Sequence, residues 1–339
     1  MNINDVVLLA SSVVSSTVMV LGGLLGRRRR RERVIMGGIP LGVKVSGLVE
    51  NHRGVPQKTF KVEIPFAPEG FEGIWSCVKL GCGGWGCTYK CEQDDRVVVF
   101  KVPRGFEGIV EEGMVPTVSE KLLKRVIEEA EVLSRLNHPH ILRLLGYSRR
   151  IPLLVYEYAN YGSLQWQLDN GWRPSFRDVV LVGMQVGDAL RYIHSRGLVH
   201  GDIKPGNIFF VDGIVKLGDF SSLVRLLAQT STHSRFAYTP GWRAPEQVYS
   251  DLRSRIVERG LENRIDVYQL GNVILYLLTG ESIDGEDVFK KDYVQQVLRK
   301  VTNTKLKDLL SEMLVLNPEE RPSMDEVLKK LVEIYHELG

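Results

Sequence analysis

Hydrophobic and polar positions divide the chain into stretches of different character. Residues 6–26 run for 21 positions without a charge. As a helix this run would be about 31 Å long at ~1.5 Å per residue, enough to cross a hydrocarbon core of about 30 Å. Ser11, Ser12, Ser15, Ser16 and Thr17 interrupt it, but small hydroxyl side chains bond back to the backbone of a membrane helix. Residues 34–72 are broken by Gly37, Gly38, Pro40, Gly54, Pro56, Pro65, Pro68 and Gly70, with a β-prone run at 59–64. They read as a spacer with one or two short strands laid against the next domain. Beyond them, β-prone runs at 74–80, 87–91 and 96–102 precede a stretch with helical spacing at 119–136. Its apolar stripe is Leu122, Val126, Ala130 and Leu133, and Ser119 suits the N-cap. A buried strand follows at 153–159. The rest is helical in pattern: Val179, Val182, Val186, Leu190 and Ile193 share one face of 176–196. Asp266 opens a hydrophobic helix, and residues after 286 read as terminal helices.

Charge sharpens the reading of the first stretch. The 339 residues carry a net charge of +3. Arg27 to Arg31 and Arg33, set against Asp5 and Glu32, leave +4 in residues 1–33 and about −1 in the remainder. The basic balance is a local cluster and not a nucleic-acid-binding body. A secretory signal would carry its positive charge before the apolar run. Charge after the run instead places residues 27 onward in the cytoplasm, with 1–5 outside, 6–26 as a single-pass helix in the cell membrane and 27–72 as a basic juxtamembrane segment and linker. The spacing of Ser12 with Ser16 and of Gly22 with Gly26 would suit a helix-pairing face and a homodimer. The arginines would favour anionic headgroups.

Candidate chemistry centres on His200-Gly201-Asp202-Ile203-Lys204-Pro205-Gly206-Asn207, with Asp219 following. One carboxylate can take the proton of an incoming hydroxyl, an ammonium can neutralise a γ-phosphate, and an amide with a second carboxylate can hold Mg²⁺ through oxygen. Upstream, Gly81, Gly83 and Gly86 form G-x-G-x-x-G between two β-prone runs. A dinucleotide-binding turn would open a helix there, so the hairpin context excludes that reading. Lys101 lies inside a β-branched strand and needs a partner. Cys77, Cys82, Cys87 and Cys91 lack the C-x-x-C spacing of zinc sites. In a hairpin centred near Gly84, Cys77 and Cys91 would face each other away from a nucleotide and permit a cross-strand disulfide; the expectation is small buried hydrophobes. His138 and His140 read as capping and turn residues.

Taken in order, Gly81/Gly83/Gly86, Lys101, Glu129, Asp202/Lys204/Asn207, Asp219, Ala244-Pro245-Glu246, Asp266 and Arg321 resemble a eukaryotic-type protein kinase. The resemblance covers about residues 74–337. Lys204 and Thr239 resemble its Ser/Thr-specific branch. It implies an α+β two-lobed fold, with a β-rich small lobe with one main helix at 73–158 and a mainly helical large lobe at 159–339, behind the membrane helix. It implies ATP with Mg²⁺ or Mn²⁺, and protein substrates including the chain itself. Leu80, Gly81, Cys82, Gly83, Gly84, Trp85, Gly86, Cys87 and Thr88 would cover the phosphates. Lys101 would contact them, paired with Glu129 or, failing that, Glu128. Backbone at Glu157 and Ala159 would bond adenine, with Tyr156 behind the base. Asp202 would be the base, Lys204 its cationic neighbour, and Asn207 and Asp219 the metal ligands. Glu246 would pair with Arg321, and Asp266 would brace the catalytic loop.

Two positions depart from the family pattern. Gly201 replaces an Arg that normally reads an activation-loop phosphate, which implies weak dependence on phosphorylation at Thr230, Ser231, Thr232 or Ser234. Ser221 replaces a Gly, which would restrict flipping of Asp219. The competing reading is a membrane-tethered pseudokinase or nucleotide-binding scaffold. A small-molecule kinase would usually lack the Ala-Pro-Glu segment.

Overall fold

The structure, a computed structural model, describes residues 35–36, 39–40, 42–49, 58–222, 224–225 and 239–338. The run at 6–26, the arginine cluster and residues 230–234 lie outside the described residues. Among the described residues no helix is long and apolar enough to cross a membrane.

A six-stranded antiparallel sheet builds the small lobe. Its strands are β1 (Thr59–Glu63), β2 (Ile74–Cys82), β3 (Gly86–Gln93), β4 (Arg96–Pro103), β5 (Leu144–Tyr147) and β6 (Leu154–Glu157), in the spatial order β1-β2-β3-β4-β6-β5. Alternation sorts the side chains. On β4, Val98, Phe100 and Val102 join Trp75, Cys77 and Tyr89 in the small lobe's own core, which leaves Val99 and Lys101 on the opposite face. Helix α1 (Glu120–Leu133) starts at Ser119, whose hydroxyl accepts from Leu122 N–H at 3.3 Å.

The large lobe is organised around α2 (Phe176–His194), buried along nearly its whole length. Ser175 and Asp178 close a reciprocal capping box at its start. Against it lies the apolar helix α4 (Arg264–Thr279), which follows the short α3 (Pro245–Val248). The hairpin of β7 (Ile208–Val211) and β8 (Ile214–Leu217) carries the chain between the catalytic loop and Asp219.

The stretch expected as linker is more engaged than a spacer. β1 is the edge strand of the sheet, with Phe60 and Val62 buried in the core, so the small lobe takes in residues ahead of position 73. Further upstream, residues 42–49 lie along the large lobe. Ser46 donates through both N–H and Oγ to Asp178 at 3.0 Å. Val49 exchanges two 2.8 Å hydrogen bonds with the side-chain amide of Gln167, and Trp172 Nε1 donates to the Ser46 carbonyl. Backbone groups make most of these bonds, so side-chain pattern alone could not reveal them.

Candidate active site

Between the lobes is a cleft of about 540 Å³, within the size range of small-molecule and cofactor sites. Leu80, Gly81, Cys82, Gly83, Gly84, Trp85, Gly86 and Thr88 line its roof, Glu157 and Ala159 its back edge, and Lys101, Asn207 and Asp219 its inner end. The hairpin turn closes with Gly83 N–H donating to the Gly86 carbonyl at 2.8 Å. Gly86 must be glycine, because a Cβ there would stand 2.1 Å from the Val102 carbonyl oxygen. The Glu157 side chain turns away to Lys216 and the Arg143 N–H, each at 2.7 Å, so it is the backbone that is left to the cleft. Tyr156 stands at the back, its hydroxyl buried.

Cys87 departs from the expected roof. Strand alternation sends its side chain into the core of the small lobe while its neighbours Gly86 and Thr88 face the cleft. The cysteines are also not free thiols: Cys77 is bonded to Cys91 and Cys82 to Cys87. The hairpin register places each pair directly opposite. Cys82 is exposed at the cleft mouth, whereas Cys77 and Cys91 are fully buried. Access controls thiol–disulfide exchange. Mild reduction followed by alkylation is therefore expected to label Cys82 and Cys87 before Cys77 and Cys91 in peptide mass spectra. The reverse order would contradict this placement.

Lys101 reaches Asp219, Nζ to Oδ1 at 2.7 Å, and lies 4.6 Å from the centre of the Trp85 ring. Burial works against charge on Asp219. The charge and hydrogen bond of Lys101, with a further hydrogen bond from Ser221, outweigh it and hold the carboxyl at about 2. Asp219 itself has φ 55°, a left-handed conformation uncommon outside glycine. Ser221 is not at positive φ; it steadies Asp219 instead.

Glu129 does not form the expected ion pair. It points inward while Glu128 is exposed, yet its buried Oε1 has no hydrogen-bond partner among the described residues, the ammonium of Lys101 being committed to Asp219. Burial pushes the Glu129 carboxyl up to about 7 against the pull of Lys101. A carboxyl raised in the folded state stabilises the fold fully below the unfolded pKa near 4.5, and that contribution is lost as pH rises through about 7. Glu129→Gln is expected to flatten the dependence of Tm on pH between these values. A slope unchanged by the substitution would contradict the assignment.

Asp202, Lys204 and Thr239 lie just beyond the cleft lining and form one cluster with Asn207. Asp202 Oδ1 accepts from Thr239 Oγ1 at 2.9 Å, and Oδ2 accepts from Lys204 Nζ at 2.6 Å and Asn207 Nδ2 at 3.1 Å. Lys204 Nζ also donates to Thr239 Oγ1. Asp266 braces the loop as expected, accepting from the N–H groups of His200 at 3.0 Å and Gly201 at 2.8 Å. Arg321 grips Glu246 through two hydrogen bonds of 2.6 and 2.8 Å, with both side chains fully buried.

The order of these parts along the chain has a counterpart among known proteins. A family model described as "Protein kinase domain" matches residues 76–332. The chain belongs to the protein kinase domain family. This kinase domain is similar to the interferon-induced, double-stranded RNA-activated protein kinase of Rattus norvegicus, at 29% identity over 75% of the chain and 51% of the relative. It is also similar to the serine/threonine-protein kinase PLK4 of Drosophila virilis, at 28% over 74% of the chain and 31% of the relative. An Aurora kinase of Dictyostelium discoideum matches at 28% over 74% of the chain and 62% of the relative. The chain thus spans about a third to three fifths of the length of these curated relatives.

Proposed function

We propose that the chain is a membrane-anchored protein kinase that moves the γ-phosphoryl group of Mg-ATP to Ser and Thr hydroxyls of proteins, its own included. The observation that carries the reading is the cluster of Asp202, Lys204 and Thr239 with Asn207, just beyond the inner end of a nucleotide-sized cleft. Asp202 takes the proton of the acceptor hydroxyl and orients its oxygen. Lys204 offsets charge on the transferring group, and Lys101 does so on the remaining phosphates once a nucleotide enters. The oxygen chemistry of the inner end suits Mg²⁺. The amide nitrogen of Asn207 is committed to the Asp202 carbonyl at 2.8 Å, which leaves its Oδ1, with the Asp219 carboxylate, as hard oxygen donors. The bound ion would neutralise phosphate charge; Mn²⁺ would serve the same donors. Catalysis of this kind is positioning and electrostatics, without a covalent protein intermediate.

Membrane anchoring rests on the uncharged run at 6–26 followed by six arginines. It places the kinase domain on the cytoplasmic face of the cell membrane, with pairing of the membrane helix as a route to a homodimer. Gly201 offers no cation for a loop phosphate, so phosphatase treatment is expected to leave kcat essentially unchanged. A large drop would contradict this.

A second reading, a nucleotide-binding scaffold without transfer, is favoured by one arrangement: Lys101 is held by Asp219 under the Trp85 ring while Glu129 has no partner among the described residues. Incubating the full chain with labelled Mg-ATP and a generic basic protein, then mapping label by mass spectrometry, separates the readings. Label on Ser and Thr supports the kinase. Label confined to Tyr, or none from protein that binds ATP, overturns it.

A further inference from the structure

The two peptide groups that flank Asp202 are bridged by a single side chain. Gln269 Oε1 accepts from the Ile203 N–H at 2.9 Å, and its Nε2 donates to the Gly201 carbonyl at 3.2 Å. The same carbonyl accepts from Gln247 Nε2 at 2.7 Å. Gln247 Oε1 in turn accepts from Gln269 Nε2 and from the Ala244 N–H, both at 2.9 Å. The inner ends of the two peptides are held as well: Asp202 N–H donates to His200 Nδ1 at 3.3 Å, and the Asp202 carbonyl accepts from Asn207.

Both glutamines are buried, with relative exposures of 1% for Gln247 and 0% for Gln269. Gln269 sits on α4 next to Leu270, Val273 and Ile274, where an apolar residue would be the cheaper choice. A buried amide is retained at such a position when its hydrogen bonds specify a geometry. Gly201 has φ 77°, which glycine adopts freely and which turns its carbonyl to meet both amides.

We propose that Gln269 and Gln247 are positioning residues for Asp202, tying the catalytic loop to the Ala244-Pro245-Glu246 segment through uncharged amides. The proposal rests on the reading of Asp202 as the group that receives the acceptor proton. Each link is neutral and none accepts a phosphate, so the coupling is complete once the chain has folded. Ala244 begins the segment that continues into Glu246 and its buried partner Arg321, and Thr239 five positions earlier touches Asp202. Among the described residues, the loop and the acceptor platform therefore share one hydrogen-bonded chain, joined through the two uncharged amides.

The test uses the full chain with Gln269→Met and Gln247→Met, which keep volume and remove the amide. Four quantities are measured: kcat, KM for ATP, Tm, and backbone hydrogen exchange by mass spectrometry. A misplaced loop is expected to lower kcat by about 10- to 100-fold in Gln269→Met, with a smaller loss in Gln247→Met, which is one link further out. KM for ATP stays within about twofold, because neither residue lines the nucleotide cleft. Exchange at residues 201–203 accelerates while exchange in β7 and β8 does not. Wild-type kcat in Gln269→Met overturns the proposal. So does a loss accompanied by faster exchange throughout the large lobe, which would mark a merely structural role. If the wild-type chain transfers no phosphate, the kinase reading fails and exchange alone decides: unchanged protection at 201–203 in Gln269→Met overturns the clamp.

Discussion

Asp202→Asn is expected to lower kcat by about 10²- to 10⁴-fold, the range for loss of a positioned general base, while KM for ATP stays near its wild-type value. The substitution keeps the shape of the side chain and one acceptor oxygen, so hydrogen bonding to Thr239 or Lys204 survives. It removes the charge and the ability to take a proton. Asp202 does not line the nucleotide cleft, so the loss falls on the step where the acceptor hydroxyl attacks. An interaction made only in that step appears in kcat and not in KM. Steady-state kinetics on the wild type and the variant read both quantities. A variant with unchanged kcat, or one whose whole defect is a raised KM for ATP, would contradict the role given to this carboxylate.

Arg321→Ala is expected to cost about 3–5 kcal/mol of stability, the penalty for leaving one member of a buried ion pair alone. Both side chains are fully buried, and the guanidinium also donates to the carbonyls of Arg264, Val315 and Leu316. Truncation therefore strands a carboxylate and three carbonyl oxygens in the core together. Against a total stability of about 5–15 kcal/mol for a typical domain, the folded fraction becomes marginal near physiological temperature. Thermal unfolding is expected to show Tm lowered by about 10 °C or more. A shift of under about 2 °C would show that the pair is replaceable by solvent. Because Glu246 belongs to the segment that Gln247 ties to the catalytic loop, kcat should fall as well in whatever protein remains folded.

Local periodicity and motif order made much of the site readable before its geometry was known. The alternation on β4 exposes Lys101 to the cleft, and the resemblance to the kinase family put Glu129 ahead of Glu128, which is the exposed one of the two. Neither the strand pattern nor the motif spacing sets the distance between helix and sheet, which is a tertiary quantity, and in the structure Lys101 bonds Asp219. The cysteines show the same limit. Spacing around Gly84 puts Cys77 opposite Cys91, but a one-residue register shift between Lys79 and Gly81 is what brings Cys82 opposite Cys87, and whether opposed sulfurs bond is not written in spacing. Cys87 could have been turned inward by counting alternation from Gly86.

Gln269 stands out in the sequence. It is a polar residue in an apolar helix, three positions after Asp266, so one helix face presents both toward the same loop. Gln247 does not, since a polar residue after Ala-Pro-Glu is ordinary in a solvent-facing turn. Residues 42–49 were opaque for a different reason. Their attachment to the large lobe runs mainly through backbone groups, which every residue type supplies alike.

The most direct test of the account is to measure ATP affinity and phosphate transfer on the same preparation of the full chain with Mg²⁺ present. Calorimetry would give the first quantity, and label from γ-labelled ATP recovered on Ser and Thr would give the second. The wild type is expected to bind and transfer, whereas Asp202→Asn binds equally well and transfers almost nothing. Equal binding with no transfer from either protein would contradict it and leave a nucleotide-binding scaffold in its place.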